Sequence, residues 1–382
     1  MAEKDLPITE NHDQMIFLLI FGVGLVTAVL TTPPIRKLAH SWGIVATPGG
    51  RRQHSGMIAK LGGVPIMLGF LVGIVLIYLL VPPEAGSNDA LRLRGVVLGS
   101  LVIFGGAFLD DRLDLPPRWQ FAFQIVAAVI AMSHIIFIER FTNPLPTADF
   151  WQGSLVSLFF RMDDVDPNIV VIRPFLVTIV SLFWVVGMIN AVNFLDGLDG
   201  LAGGVGTIAA LLFALHSYQL TGLSPVTLFP LALAGALVGF LIFNFAPASI
   251  FLGTTGAWLL GYNLSTLSIL APAKLSTALL VMAVPILDVA WLIVARLRRG
   301  RHPFQGDRRH LHFRLLDGGL PVRSIVLGYY ATAVAFGLVA IFVPSRLLKI
   351  GLWLLLATAV LILLAWLTNR TKRPLPALNA EE

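Results

Sequence analysis

Long apolar runs recur along almost the whole chain, and they restrict its fold more than any other feature. Most are close to the roughly 20 residues that a helix needs to cross the hydrocarbon core of a bilayer. Only 13% of the 382 residues are charged. The sequence therefore predicts an all-α polytopic integral membrane protein. Eleven transmembrane helices are expected at about Met15–Thr32, Ile58–Leu80, Val96–Leu109, Phe121–Ile138, Phe175–Val192, Leu201–Leu220, Val226–Phe243, Ile250–Leu270, Ser276–Ala295, Ile325–Val343 and Leu347–Leu367.

Lysine and arginine are concentrated in alternate loops, and this bias predicts the orientation. It favours an N-terminus outside and a C-terminus in the cytoplasm. The acidic first residues lack the positive region of a cleavable signal, so the first run is expected to remain as a membrane span. The net charge of +6 fits this bias together with anionic lipids or substrates, so no nucleic-acid partner is expected.

The chain has no repeat of fixed period and no low-complexity linker, which favours one domain over residues 1–382. The polar motifs define a core at about residues 36–320. Residues 139–174, rich in proline and aspartate, are expected to form an extracytoplasmic loop without bearing on the chemistry. Residues 296–323 are expected to form a basic cytoplasmic loop.

Two acidic clusters follow apolar runs. The stretch Asn190–Gly200 holds two amides and two carboxylates, and Asp110, Asp111 and Asp114 end another run. In a helix, Asp114 would share a face with both other acids. The predicted topology puts both clusters on one membrane face, where grouped carboxylates need a cation or a proton. Oxygen ligands without cysteine indicate Mg²⁺, with Mn²⁺ as an alternative. A second interpretation is that these acids are solvated helix caps.

The basic loop carries imidazole and guanidinium groups, which are suitable donors for a diphosphate. His310 and His312 lie two residues apart, directly after Arg308. A basic inward loop is also the ordinary topology signal, and that interpretation stays open. Asp288, inside the ninth run, is expected to face the helix bundle and to be hydrogen-bonded.

Taken in order, the motifs resemble those of the polyprenyl-phosphate N-acetylhexosamine-1-phosphate transferase family, or glycosyltransferase 4. The resemblance covers about Arg36 to Leu320. It is closer to the enzymes that start O-antigen and teichoic acid than to the peptidoglycan translocase. The matching motifs are Arg51–His54 with Leu61–Gly63, Asp110–Asp114 followed by Gln124, Asn190–Ala202, Ile242–Pro247, and Arg308–His312.

This resemblance implies a Mg²⁺-dependent enzyme of the bacterial cytoplasmic membrane, with its active site on the cytoplasmic face. Its donor would be UDP-N-acetylglucosamine or a related UDP-N-acetylhexosamine, and its acceptor undecaprenyl or another polyprenyl phosphate. UMP would be released, and surface or cell-wall polysaccharide synthesis would begin. The other expected partners are membrane lipids and, as a possible assembly, a second copy in a homodimer.

The resemblance also assigns roles to residues. Asp111 is expected to act as the base. The implied catalytic residues are Asp110, Asp111, Asp196 and Asp199. The implied substrate-binding residues are Arg52, His54, Asn190, Asn244, Arg308, His310 and His312. The implied metal-side residues are Asn193, Asp196 and Thr254.

One departure from the family pattern affects the metal. The usual Gly-Asp-x-Gly-Ser motif reads Gly253-Thr254-Thr255-Gly256-Ala257 here, so a hydroxyl replaces a carboxylate. A hydroxyl is the weaker ligand for a hard dication. This keeps open an impaired relative that only binds polyprenyl phosphate or nucleotide sugar. A secondary transporter is less favoured, because its ionisable groups should lie near the bilayer midplane.

Overall fold

The computed structural model describes residues 7–46, 56–143, 149–152, 155–166, 168–270, 274–298, 300 and 309–370. Helices dominate this part of the chain and follow the predicted apolar runs in order. Their bounds are α1 Pro7–Ser41, α2 Gly63–Leu80, α3 Asp89–Leu113, α4 Pro117–Ser133, α5 Asp149–Gln152, α6 Pro174–Leu195, α7 Leu201–Thr221, α8 Pro225–Asn244, α9 Gly253–Ile269, α10 Lys274–Val281, α11 Ala283–Leu297, α12 Leu311–Asp317, α13 Val322–Phe342 and α14 Arg346–Arg370.

Among the described residues, eight helices are long and apolar enough to cross a membrane. A ninth span results if α10 and α11, which meet at an angle of 72°, are counted as one. The helices α4 and α9, of 17 residues each, occupy the two remaining predicted runs. The prediction of a polytopic helical membrane protein is therefore confirmed, whereas eleven spans and their orientation stay predictions.

Small residues let the helices of the bundle approach closely. A Cβ atom added to Gly24 of α1 would lie 2.7 Å from the Ala232 carbonyl oxygen of α8. One added to Gly69 of α2 would lie 2.6 Å from the Gly24 carbonyl oxygen. Because lipid gives helices no hydrophobic reason to associate, such close backbone contact is a main source of their packing energy. The helices α7, α8 and α9 are the most buried and form the centre.

The bounds of three predicted spans were wrong. Helix α1 continues past Thr32 through Pro33 and Pro34, where hydroxyl groups of Thr31 and Thr32 donate to carbonyls one turn earlier. The ninth run breaks at Met282 instead of forming one helix. The run predicted to start at Ile58 begins with a strand, and its helix starts at Gly63.

The segment predicted to be an extracytoplasmic loop contains a folded sheet. Strands β3 (Arg140–Thr142), β4 (Phe160–Met162) and β5 (Ile169–Ile172) pair antiparallel in the order β3-β5-β4. Aromatic side chains of Phe141, Trp151 and Phe160 pack together beside it. The β-branched run in β5 and this aromatic cluster outweigh the turn-forming residues that suggested a loop. A second sheet pairs the two-residue strands β1 (Val45–Ala46) and β2 (Ile58–Ala59).

Candidate active site

Asp111 joins the end of α3 to the beginning of α9. Its Oδ1 accepts a hydrogen bond from Thr254 N at 3.1 Å, and its Oδ2 accepts from Thr255 N at 2.8 Å. The Thr255 hydroxyl donates to the same Oδ2. A carboxylate at a helix N-terminus satisfies amide groups that have no partner within the helix and interacts favourably with the helix dipole. Asp111, only 7% exposed, therefore caps α9 in addition to its predicted catalytic role.

Asp110 is held by a different set of donors. Its Oδ1 accepts from Leu115 N at 3.1 Å and from Gln120 Nε2 at 2.9 Å. The Thr254 side chain lies beside the same carboxylate. A hydroxyl group therefore lies beside Asp110 where the family pattern has a third carboxylate. Asp114 does not share their face, because α3 ends at Leu113 and Asp114 is an exposed left-handed cap.

Glycines bring the start of α2 against the start of α9. A Cβ on Gly63 would overlap the backbone of Thr255 and Gly256, so only glycine fits there. Gly63 N also donates to Leu252 O at 3.1 Å. Lys60, which precedes this junction, interacts electrostatically with Asp111. Sequence reasoning assigned Lys60 no role, although its position before two adjacent glycines marked a close backbone approach.

Asn190 and Asn244 use their amide groups to join parts of the fold. Asn190 Nδ2 donates to Gln124 Oε1 at 2.6 Å, which links α6 to α4. The Oδ1 of Asn244 accepts from Gly200 N at 3.1 Å, and its Nδ2 donates to Ile250 O at 3.0 Å. Asn244 is 3% exposed. These contacts give both residues a structural task, and direct binding of substrate by either stays a prediction.

The second acidic cluster lies in the turn between α6 and α7. Asp196 follows the last residue of α6, and Asp199 accepts from Ala248 N at 2.8 Å. Gly200 has a φ of +79°, a left-handed conformation that favours glycine. The Tyr330 hydroxyl donates to Gly200 O at 2.6 Å and ties the turn to α13. Asp196, Asp199 and Asn193 are all partly exposed.

His310 lies against the end of α6, and His312 lies against this turn. The rings of His310 and Phe194 stack with centroids 5.2 Å apart. His312 packs so closely on Gly197 that a Cβ there would overlap its Nε2. Both ring nitrogens of His312 are buried and have no hydrogen-bond partner in the described part of the chain. The turn and the two imidazoles therefore form one cluster of polar groups.

Burial keeps His312 neutral. Desolvation, with a smaller contribution from repulsion by His310, lowers the pKa of His312 from 6.5 to about 3. Between about pH 3 and pH 6.5, His312 binds more protons in the unfolded chain than in the folded protein. The contribution of neutral His312 to stability is therefore complete above pH 6.5 and is lost as the pH decreases. We expect the melting temperature in detergent to decrease from pH 7.5 to pH 4. This decrease should be smaller in His312→Gln than in the wild type. In the exposed control His40→Gln, it should equal that of the wild type.

The two acidic clusters are joined by the segment between α8 and α9. This segment starts at Asn244, passes Ala248 beside Asp199, and reaches Thr254 beside Asp110 and Asp111. Arg52, His54 and Arg308 lie outside the described residues. Within the described part, no group of three or more histidine, cysteine, aspartate or glutamate side chains is placed to hold a metal ion.

Comparisons with known proteins agree with these motifs. The family model for glycosyl transferase family 4 matches residues 93–271. The chain is 32% identical over 341 residues to a Mycobacterium tuberculosis protein named decaprenyl-phosphate N-acetylglucosaminephosphotransferase, covering 82% of this chain and 80% of that protein.

Two further relatives have names of the same kind. One, from Bacillus subtilis, is named probable undecaprenyl-phosphate N-acetylglucosaminyl 1-phosphate transferase and is 28% identical over 88% of this chain and 87% of its own length. Another, from Yersinia pestis, is named undecaprenyl-phosphate alpha-N-acetylglucosaminyl 1-phosphate transferase and is 26% identical over 93% and 89%. With its two acidic clusters and paired histidines, the chain belongs to glycosyl transferase family 4, the polyprenyl-phosphate N-acetylhexosamine-1-phosphate transferases.

Proposed function

We propose that this protein transfers N-acetylglucosamine 1-phosphate from UDP-N-acetylglucosamine to a polyprenyl phosphate, such as undecaprenyl phosphate, and releases UMP. The observation that carries the proposal is the contact of His312 with Gly197, inside the Asp196–Asp199 turn, and of His310 with Phe194 just before that turn. It brings groups that bind phosphate next to carboxylates suited to a phosphate-bound cation. The names of the relatives supply the transferred sugar phosphate and the polyprenyl phosphate acceptor, and the family resemblance implies the UDP-linked donor.

The reaction would be a phosphoryl transfer. An oxygen of the lipid phosphate forms a bond to the sugar-linked phosphorus, and the bond from that phosphorus to the bridging oxygen breaks, so that UMP leaves with this oxygen. His310 and His312 would contact the phosphates, and Asp110 or Asp111 would accept the proton of the acceptor phosphate. Asp199 would support the turn. A two-step route through a covalent intermediate is the alternative.

Mg²⁺ would neutralise the diphosphate charge. Mg²⁺ typically keeps several waters and binds one or two carboxylates together with substrate phosphates. Asp196, with Asn193, fits that limited protein contribution, since both are partly exposed at the turn. Mn²⁺ could replace it. We further propose eleven spans in a bacterial cytoplasmic membrane with this site on the cytoplasmic side, in contact with membrane lipids, and a homodimer as a possible assembly.

The proposal is tested by the identity of the released nucleotide. Purified protein in nanodiscs, given Mg²⁺, undecaprenyl phosphate and UDP-N-acetylglucosamine, should release UMP. Omission of the lipid phosphate should stop the release, and UDP-glucose should serve as a control donor. Release of UDP would indicate transfer of the sugar alone and would reject the proposal. If no nucleotide is released with any UDP-N-acetylhexosamine, the result would favour a relative that binds substrate without turnover.

Thr254→Asp tests how the missing carboxylate affects the site. An aspartate at this position would lie beside Asp110 and Asp111. Without a cation, the three carboxylates would repel one another. We expect the variant to melt at a lower temperature than wild type in EDTA and to recover with Mg²⁺. Its activity should also reach half-maximum at a lower Mg²⁺ concentration. Thr254→Asn, of similar size without charge, is the control, and equal Mg²⁺ responses of the two variants would contradict the prediction.

A further inference from the structure

A buried acid outside the two clusters holds one of the histidines. Asp288 lies in the second turn of α11 and is 4% exposed. Its Oδ2 accepts from His310 Nδ1 at 2.8 Å, and its Oδ1 accepts from Leu311 N at 2.9 Å. A charge buried in a membrane protein is costly and persists where it is paired or hydrogen-bonded. Asp288 has both kinds of partner, and both belong to the segment that carries the histidines.

This contact determines which nitrogen of His310 remains available. Because an ionised carboxylate only accepts hydrogen bonds, the hydrogen of a neutral His310 ring must lie on Nδ1. The ring is also stacked between Phe194, at 5.2 Å, and His312, at 5.7 Å. Within the described residues, Nε2 of His310 has no hydrogen-bond partner. The ring is therefore held on both faces and at Nδ1, while its Nε2 edge is left for a ligand.

We propose that Asp288 is a positioning residue, which sets the tautomer and orientation of His310 so that Nε2 contacts the phosphate of the departing UMP. The identity of this phosphate rests on the proposed function. Charge develops on the leaving phosphate during the transition state. A His310 ring that takes up a proton from water on Nε2 becomes an imidazolium whose Nδ1–H stays bonded to Asp288. Its Nε2–H can then donate to that phosphate, which increases the rate of the chemical step more than it increases substrate affinity.

A purely structural role for Asp288 is the competing explanation. The bond to Leu311 N could simply anchor α12 to α11, and the Tyr329 side chain, also buried nearby, interacts with the same carboxylate. Asp288→Asn separates the two roles. The asparagine oxygen can still accept from Leu311 N, whereas its NH₂ group would face Nδ1, favour the opposite tautomer of His310 and no longer stabilise the imidazolium.

The experiment compares Asp288→Asn with Asp288→Glu and with the control Asp317→Asn. Asp317 is an exposed residue at the end of α12, so its change removes the same charge nearby. Nitrogen-15 spectra of histidine-labelled protein in nanodiscs, assigned with His310→Ala, report the tautomer of His310 without any turnover. UMP release reports kcat and KM for each variant.

We expect Asp288→Asn to move the His310 hydrogen from Nδ1 to Nε2 and to lower kcat roughly 10- to 100-fold, as supporting residues around a site often do. KM for UDP-N-acetylglucosamine should change less than about twofold. Asp288→Glu should keep the Nδ1–H tautomer and more of the activity, and it serves if the asparagine variant fails to fold. The double variant Asp288→Asn/His310→Ala should be no slower than His310→Ala alone, because both changes remove one function.

Two results would overturn the positioning role. One is a folded Asp288→Asn protein in which the His310 hydrogen stays on Nδ1. If Asp288→Asn does not fold, the corresponding result is an active Asp288→Glu protein in which the His310 hydrogen is not on Nδ1. The other is a kcat for Asp288→Asn equal to that of Asp317→Asn. If wild-type protein releases no UMP but the tautomer shifts as expected, the proposed function fails while the positioning of His310 stands.

Discussion

Asp111→Asn is expected to lose UMP release and thermal stability together. The aspartate accepts three hydrogen bonds, from Thr254 N, Thr255 N and the Thr255 hydroxyl. In asparagine, one acceptor oxygen becomes an NH₂ group that faces these donors. A buried donor left without its acceptor costs about 1–3 kcal/mol. Because the bonds join α3 to the start of α9, the loss should also displace Thr254 and the adjacent Asp110.

Asp114→Asn is the matched control for this prediction. It removes the same charge three residues later, at an exposed position where α3 has ended. Melting curves in detergent and UMP release should be measured on the same preparations. A stable but inactive Asp111→Asn protein would support the base role alone, without the capping role. An Asp111→Asn protein as stable and active as Asp114→Asn would contradict both roles.

Asp196→Asn is expected to lose activity while its melting temperature stays near that of the wild type. Asp196 ends α6 through its backbone N–H, which donates to Val192 O at 3.1 Å, and the substitution keeps this bond. Its partly exposed carboxylate is the side chain proposed to meet the phosphate-bound cation. Loss of that charge should lower kcat by roughly 100-fold or more, within the range of catalytic acid–base and electrostatic contributions.

Asp89→Asn serves as the control for Asp196→Asn. Asp89 lies at the other end of α3 from Asp110, where it pairs with Arg92 at 3.8 Å on the surface. Surface pairs of this kind contribute little to stability. The control should therefore keep both its activity and its melting temperature. An Asp196→Asn protein with wild-type kcat at saturating Mg²⁺ would exclude Asp196 from the reaction.

Much of the helical framework could be predicted from the sequence, because membrane spans require long apolar runs and almost nothing else. The sheet beside α6 could not. Its strands are only three or four residues long, and their pairing brings Arg140 opposite Val171 across a long sequence separation. The break at Met282 was missed although Pro285, in the first turn of α11, lacks the N–H that a helix continuous across Met282 would need.

In the site, the residue types and their convergence were predictable, but the partners were not. Asp111 was expected to be a base, and only the fold shows that both of its oxygens face the backbone of α9. Asn244 was expected to bind substrate, which stays a prediction, and only the fold shows that its amide joins two loops. Asp288 was correctly expected to be hydrogen-bonded inside the bundle, while its link to His310 depends on how α11 meets α12. Hydrogen-bond partners that are distant in sequence leave no local pattern.

The central claim is that sugar and phosphate move together to the lipid. The direct measurement uses UDP-N-acetylglucosamine with phosphorus-32 in the sugar-linked phosphate and tritium in the sugar. After incubation with Mg²⁺ and undecaprenyl phosphate, both labels should enter the lipid fraction in the ratio of the donor, in step with the release of unlabelled UMP. Tritium in the lipid without phosphorus-32, or neither label under conditions where the protein is folded, would contradict the account.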